Sequence, residues 1–187
     1  MNINKFTQKS IEAVQNCEKL AYEHGNQQME QEHLLFSMLT IEDSLILKLI
    51  TKMNISPEMF LNEVQQSIGK LPKVSGNSQV YVSGDLNKVL INAEDEAKAM
   101  GDEYVSVEHL FLSMLKQPDR IVKELFRQYG ITRETFLQAL STVRGNQRVV
   151  SDNPEADVYK RQVLGGEISC GRHPYGCGCF HALPGLR

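Results

Sequence analysis

The chain has 187 residues and a mass of 21.2 kDa, with 41% hydrophobic and 23% charged side chains, which fits a globular protein and excludes a mostly disordered one. A formal net charge of −3 and a pI near 6.0 argue against nucleic-acid binding by broad phosphate neutralisation. No stretch approaches the roughly 20 apolar residues that span a bilayer, and the leading Met1-Asn-Ile-Asn-Lys-Phe-Thr lacks the apolar run of a secretory signal, so a cytoplasmic location without membrane or nucleic-acid partners is expected.

From the N-terminus, Thr7 is placed to cap a helix whose Ile11, Val14, Cys17 and Ala21 follow a three-to-four spacing, and Gly25 supplies a left-handed stop. A second helix is expected over about Glu30–Leu39, with Leu34, Leu35, Met38 and Leu39 inward. A third covers about Ser44–Met53 and buries Leu45, Leu49 and Ile50. Ser56 followed by Pro57 opens a fourth, with Met59, Phe60 and Val64 on its apolar side. The run from Gly69 to Ser78 is a Gly/Pro/Ser connector. Beyond it the scheme recurs: Ser83 caps a helix to Met100, Gly101 ends it, Ser106 caps the next, Gly130 closes the third and Thr132 starts the last.

The recurrence is a tandem duplication. A shift of 76 positions without gaps lays Glu32-His33-Leu34 on Glu108-His109-Leu110 and Ser37-Met38-Leu39 on Ser113-Met114-Leu115. It also pairs Ala21 with Ala97, Gly25 with Gly101, Leu49 with Leu125, Ile55 with Ile131, and Phe60-Leu61 with Phe136-Leu137. Chance does not hold one offset over about sixty residues. No window alternates as a strand should. The fold class is all-α: eight helices in two pseudo-symmetric four-helix repeats, over about residues 6–68 and 82–144, with the connector at 69–81. Units this small bury little alone, so the two pack as one domain over residues 1–145, leaving a groove at their seam.

Catalytic patterns are missing. Gly69-Lys70 is followed by Leu71 and preceded by no P-loop glycine; Glu32-His33 reverses the zincin order and lacks its second histidine; no nucleophile elbow occurs. His33 and His109, reproduced by the duplication, read as first-turn packing residues, and Cys17, which aligns with Ala93, as a small buried residue. No catalytic residue, metal or bound cofactor is expected in the repeats.

The run Asn26-Gln-Gln-Met-Glu-Gln-Glu-His-Leu-Leu and the connector Leu71-Pro-Lys-Val-Ser-Gly resemble the N-terminal domain of the ClpB disaggregase chaperones. So do Gly101-Asp-Glu-Tyr-Val-Ser-Val-Glu-His-Leu and Val143-Arg-Gly-Asn-Gln-Arg-Val, and the likeness is collinear to about residue 157. The tandem repeat is shared with the ClpA and ClpC unfoldases; the connector and the Arg-Gly-x-Gln-Arg-Val exit favour ClpB. The resemblance implies a module that recruits unfolded or aggregated polypeptides to a hexameric ATPase ring, which cooperates with an Hsp70-type system and uses ATP and magnesium outside this chain. The alternative is an adaptor-docking domain of a protease-linked ClpA or ClpC unfoldase. Polypeptide-binding candidates are the apolar Tyr81, Val82, Tyr104 and Val105 at the edges of the second repeat, and Thr7, Asp102 and Glu108, which match polar positions of the family pattern.

The C-terminal 37 residues differ in composition. Residues 1–150 hold 16 Lys and Arg against 19 Asp and Glu, so the whole net charge lies there, while Cys170, Cys177 and Cys179 crowd the end. Residues 146–157 read as the start of a linker. Residues 158–187 read as a disordered, non-family tail appended by truncation or misassembly, and Cys170, His173, Cys177, Cys179 and His181 lack the paired spacing of a structural zinc site.

Overall fold

A computed structural model describes residues 3–74, 79–145 and 147–154. They belong to one compact unit, Met1–Pro154, and the tail cysteines and histidines lie outside them. Among the described residues there are eight α-helices: α1 (Gln8–His24), α2 (Gln31–Thr40), α3 (Leu45–Lys52), α4 (Pro57–Gly69), α5 (Gly84–Met100), α6 (Val107–Lys116), α7 (Arg120–Gln128) and α8 (Arg133–Arg144). A single 3-10 turn, Ile3–Lys5, precedes them. None of these helices is long and apolar enough to cross a membrane.

The boundaries follow the capping chemistry. Thr7, Ser44, Ser83 and Thr132 each accept a backbone N–H from three residues on. Gly25 and Gly101 end α1 and α5 at φ 71° and 73°, the left-handed conformation that glycine reaches without strain. Asn54, at φ 60°, stands where the second repeat has Gly130 at φ 64°, and asparagine tolerates that region better than most residues.

The centre of the domain is α2 and α6. Eight of the ten residues in each are buried, so these helices are enclosed on nearly every side by the other six. Phe111 on α6 stacks on Phe136 of α8 at 4.5 Å and meets Phe126 of α7 at 5.3 Å. Phe60 of α4 meets Tyr129, just past α7, edge-on at 5.0 Å, an aromatic contact that crosses from one repeat to the other.

Four expectations need correction. The buried stripe of α1 is Ser10, Ala13, Cys17 and Ala21, whereas Ile11 and Val14 are half-buried at its margin. Small residues let α2 approach closely there, and Ser10 is satisfied by Thr7. On α3, Ile46 is fully buried and Leu45 only partly; on α4, Met59 is 61% exposed, since the face fixed by Phe60 and Val64 turns it outward. Short strands also form where none was expected: β1 (Gln28–Met29) and β2 (Tyr81–Val82) pair in parallel.

That pairing is exchanged between repeats. The loop before α2 pairs with the segment leading into α5, and the loop before α6 pairs with the segment leading into α1 through the Phe6–Val105 bridge. Each repeat lends its leading strand to the other.

Candidate functional site

Two seams result, related by the 76-residue shift. At the first, Ser83 N–H donates to Met29 O at 3.0 Å and Tyr81 N–H to Gln27 O at 3.1 Å. On the other side of the same loop, Val74 N–H donates to Gly25 O at 2.8 Å, and Asn26 Nδ2 donates to Pro72 O at 3.0 Å. At the second, Thr7 N–H donates to Val105 O at 2.9 Å, and Val105 N–H to Lys5 O at 2.6 Å. Here the chain after α8 takes the place of residues 72–74: Glu103 N–H donates to Val149 O at 3.0 Å, and Val149 is buried. Gln8 N–H then donates to Asp152 O at 2.8 Å, so residues 147–154 pack along the second seam.

The duplicated histidines organise the two loops. Glu30 N–H donates to His33 Nδ1 at 3.0 Å, and Ser106 N–H to His109 Nδ1 at 3.0 Å. An accepting Nδ1 puts the ring proton on Nε2, which faces Asn26 Oδ1 at 3.2 Å in the first copy and Asp102 Oδ2 at 2.9 Å in the second. Both rings are fully buried, so their role is to fasten the loop to the helix start. Burial lowers His33 to about 4, aided by the charge of His24.

The seams have diverged in charge. Where the first has neutral Asn26, the second has Asp102, whose Oδ1 receives Arg144 Nη2 at 2.5 Å and Val149 N–H at 2.8 Å. Burial pushes the Asp102 carboxyl up, but the hydrogen bonds from His109, Arg144 and Val149 outweigh it and hold the group at about 2. Arg144 also reaches Glu108 at 3.3 Å. Cys17 donates its thiol to Ala13 O at 3.1 Å, and burial pushes the thiol far up, which suits a packed residue and not a nucleophile.

The sequence-selected residues fall into two groups. Thr7, Asp102, Tyr104, Val105 and Glu108 meet at the second seam; Tyr81 and Val82 lie at the first. Thr7, Asp102 and Glu108 are buried, the first as the α1 cap and the others as partners of Arg144. Val105, expected as an exposed apolar contact, is 2% exposed and belongs to the core because its strand is covered by the Lys5–Thr7 segment. Tyr104 is half-buried. Tyr81 and Val82 are exposed at 46% and 41%, and Val74, which the sequence reading did not select, is 40% exposed on the other side of the loop. Gln28 Nε2 donates to the Tyr81 hydroxyl, and a cavity of about 150 Å³ opens between Asn26, Gln27, Gln28 and Glu30 on one wall and Leu71, Pro72 and Val74 on the other. A lone valine in a polar connector was the available signal for Val74. Among the described residues no three His, Cys, Asp or Glu side chains are arranged to hold a metal ion.

Residues 5–129 match the family model of the Clp repeat (R) N-terminal domain. The chain is 40% identical over 173 residues to the chaperone protein ClpB of Nitratidesulfovibrio vulgaris, a match covering 90% of this chain and 20% of that protein. It therefore spans about a fifth of the length of this relative. In structure it is similar to the Hsp104 N-terminal domain from Candida albicans, with a TM-score of 0.69 and 25% identity over 79% of this chain and 97% of that one. A ClpV N-domain solved in complex with a VipB peptide shares the fold, with a TM-score of 0.59 and 18% identity over 78% of this chain and 90% of that one.

Proposed function

The chain belongs to the Clp repeat (R) N-terminal domain family, and from that premise we propose that it is the substrate-recruiting N-terminal module of a ClpB-type disaggregase. It holds exposed segments of unfolded or aggregated polypeptides, while ATP hydrolysis belongs to modules outside this chain. The observation that carries this reading is the first seam. Tyr81 and Val82 are exposed on the strand paired with Gln28 and Met29, and on the other side of the same loop exposed Val74 lines a cavity with Asn26, Gln27 and Gln28. Apolar contact with a few amide donors and acceptors suits many unrelated extended chains and favours none strongly, which is what recruitment of diverse clients requires. The peptide complex of the ClpV N-domain supports the use of this fold for holding polypeptide segments.

The experiment is a titration of the protein, labelled with ¹⁵N, by a permanently unfolded model protein. Amide shifts centred on Gln27, Gln28, Val74, Tyr81 and Val82 are expected. Shifts centred on another face, or none at saturating concentration, would reject the assignment.

A further inference from the structure

Four carboxyl groups gather where the repeats meet: Glu30 before α2, Glu32 on its first turn, Asp85 on the first turn of α5 and Asp119 at the cap of α7. Glu32 is 1% exposed, and its Oε2 has no hydrogen-bonding partner among the described residues. An ionised carboxylate buried in that way is strongly disfavoured. The charges that act on it are those of Asp119, whose carboxyl is within hydrogen-bonding reach, and Glu30, both of its own sign.

Asp119 cannot easily withdraw. Its Oδ1 accepts Val122 N–H at 2.8 Å, and its own N–H donates to Gln31 Oε1 at 3.0 Å. Asp85 acts on Asp119 as a further like charge, and Lys88 is engaged with Asp85 at 2.8 Å on the exposed side. The second repeat resolves the same position differently: Glu108 meets Arg144 at 3.3 Å. The 76-residue shift puts Ile68, fully buried, where Arg144 stands, so the first repeat has no counterpart of that cation.

Two carboxylates in such a contact repel, whereas one proton between them makes a strong O–H···O⁻ bond. We infer that Glu32 carries a proton at neutral pH and donates it to Asp119, so that a shared proton closes the contact between the two repeats. The proton supplies the donor that an ionised pair lacks and removes the uncompensated charge on α2. Burial, followed by the charge of Asp119, holds the Glu32 carboxyl well above the usual carboxylate range, in keeping with this arrangement. Loss of the proton in alkaline solution places two charges across the α2–α7 contact and loosens it.

The test is a side-chain carboxyl ¹³C titration of the full chain. The Glu32 Cδ resonance is expected at its neutral-acid position at pH 6.5, with a midpoint more than one pH unit above the usual glutamate value of about 4.3. In Asp119→Asn the midpoint falls by a unit or more. A Glu32 resonance already at the ionised position at pH 6 overturns the inference. Glu32→Gln, which keeps shape and donor without titrating, is expected to flatten the decline of the thermal midpoint between pH 6 and 9. A decline equal to that of the parent protein counts against the shared proton. Should the variant fail to fold, the titration of the unaltered protein decides alone.

Discussion

Thr7 donates its backbone N–H to the carbonyl of Val105, 98 positions along the chain, at 2.9 Å, and the duplicated pair, Ser83 to Met29, does so at 3.0 Å. The exchange explains how two repeats too small to bury a full core form one unit. Each leads its first helix out of a strand held by the other, so neither edge is closed until both repeats are present. Helix starts, strand pairs and loop histidines are thereby gathered at two seams, and everything that distinguishes the seams is substitution on a common frame.

Removing the caps at these exchanged strands tests that frame. Thr7→Ala and Ser83→Ala each leave a first-turn N–H without its side-chain acceptor, at Ser10 and Leu86 respectively. Each is expected to cost about 1 kcal/mol in urea unfolding. Both variants should unfold in a single transition. A two-step transition would show that the repeats fold separately and that the exchange is incidental.

The helices were legible because their signals are local. Thr7, Gly25, Ser83, Gly101 and Thr132 mark boundaries by their own backbone chemistry, and the duplication checked each one against its copy. The strand exchange was not legible, since two-residue strands leave no periodicity and their partners lie far along the chain. Nor was the division of the candidate residues. Tyr81 and Tyr104 are alike as sequence, yet Tyr81 is exposed while Tyr104 is half-covered, its neighbouring backbone being taken up by Val149. A mismatch between copies was the best unused signal: Gln31 against Val107, Asn26 against Asp102 and Ile68 against Arg144 each mark a place where the two seams have taken different chemistry.

Asp102→Asn is expected to weaken the second seam, although Asn26 shows that an amide fits the equivalent position. Arg144 loses one carboxylate and keeps Glu108, so the loss should be about 2 kcal/mol, below the roughly 3–5 kcal/mol of a fully orphaned buried charge. The pH dependence has a definite sign. A carboxyl lowered from 3.8 to about 2 contributes stability that is complete above pH 3.8 and disappears as pH falls towards 2. The variant should therefore lose stability less steeply than the parent across that window in acid unfolding monitored by circular dichroism. Equal slopes would mean that other carboxylates control the acid transition.

Gln31→Ala should destabilise the domain more than its single amide suggests. Gln31 is fully buried, and it both donates to Gln117 O at 2.9 Å and accepts Asp119 N–H at 3.0 Å, joining α2 to the turn before α7. Truncation removes two part-buried hydrogen bonds, those to the Gln117 carbonyl and from the Asp119 N–H, for an expected loss of about 1–2 kcal/mol in chemical denaturation. Gln31→Val, which copies Val107 of the second repeat, should do no better, because the deficit lies in the lost partners and not in volume. Recovery of stability by valine would assign Gln31 to packing alone.

The two tyrosines separate the seams as binding faces. Tyr81 is 46% exposed beside Val82 on the strand paired with Gln28 and Met29, and its removal takes away the larger exposed side chain of that strand. Tyr81→Ala is expected to weaken capture of a permanently unfolded model protein by about five- to tenfold, the scale of one well-placed aromatic contact. Tyr104→Ala is expected to stay within about twofold, since the chain from Val149 to Asp152 already runs along that seam and Val105 beside it is buried. Fluorescence anisotropy gives both affinities, and unchanged thermal midpoints show that the fold is intact. The opposite ranking, with Tyr104 dominant, would move the recruiting face to the second seam, where the polar candidates Asp102 and Glu108 are held by Arg144.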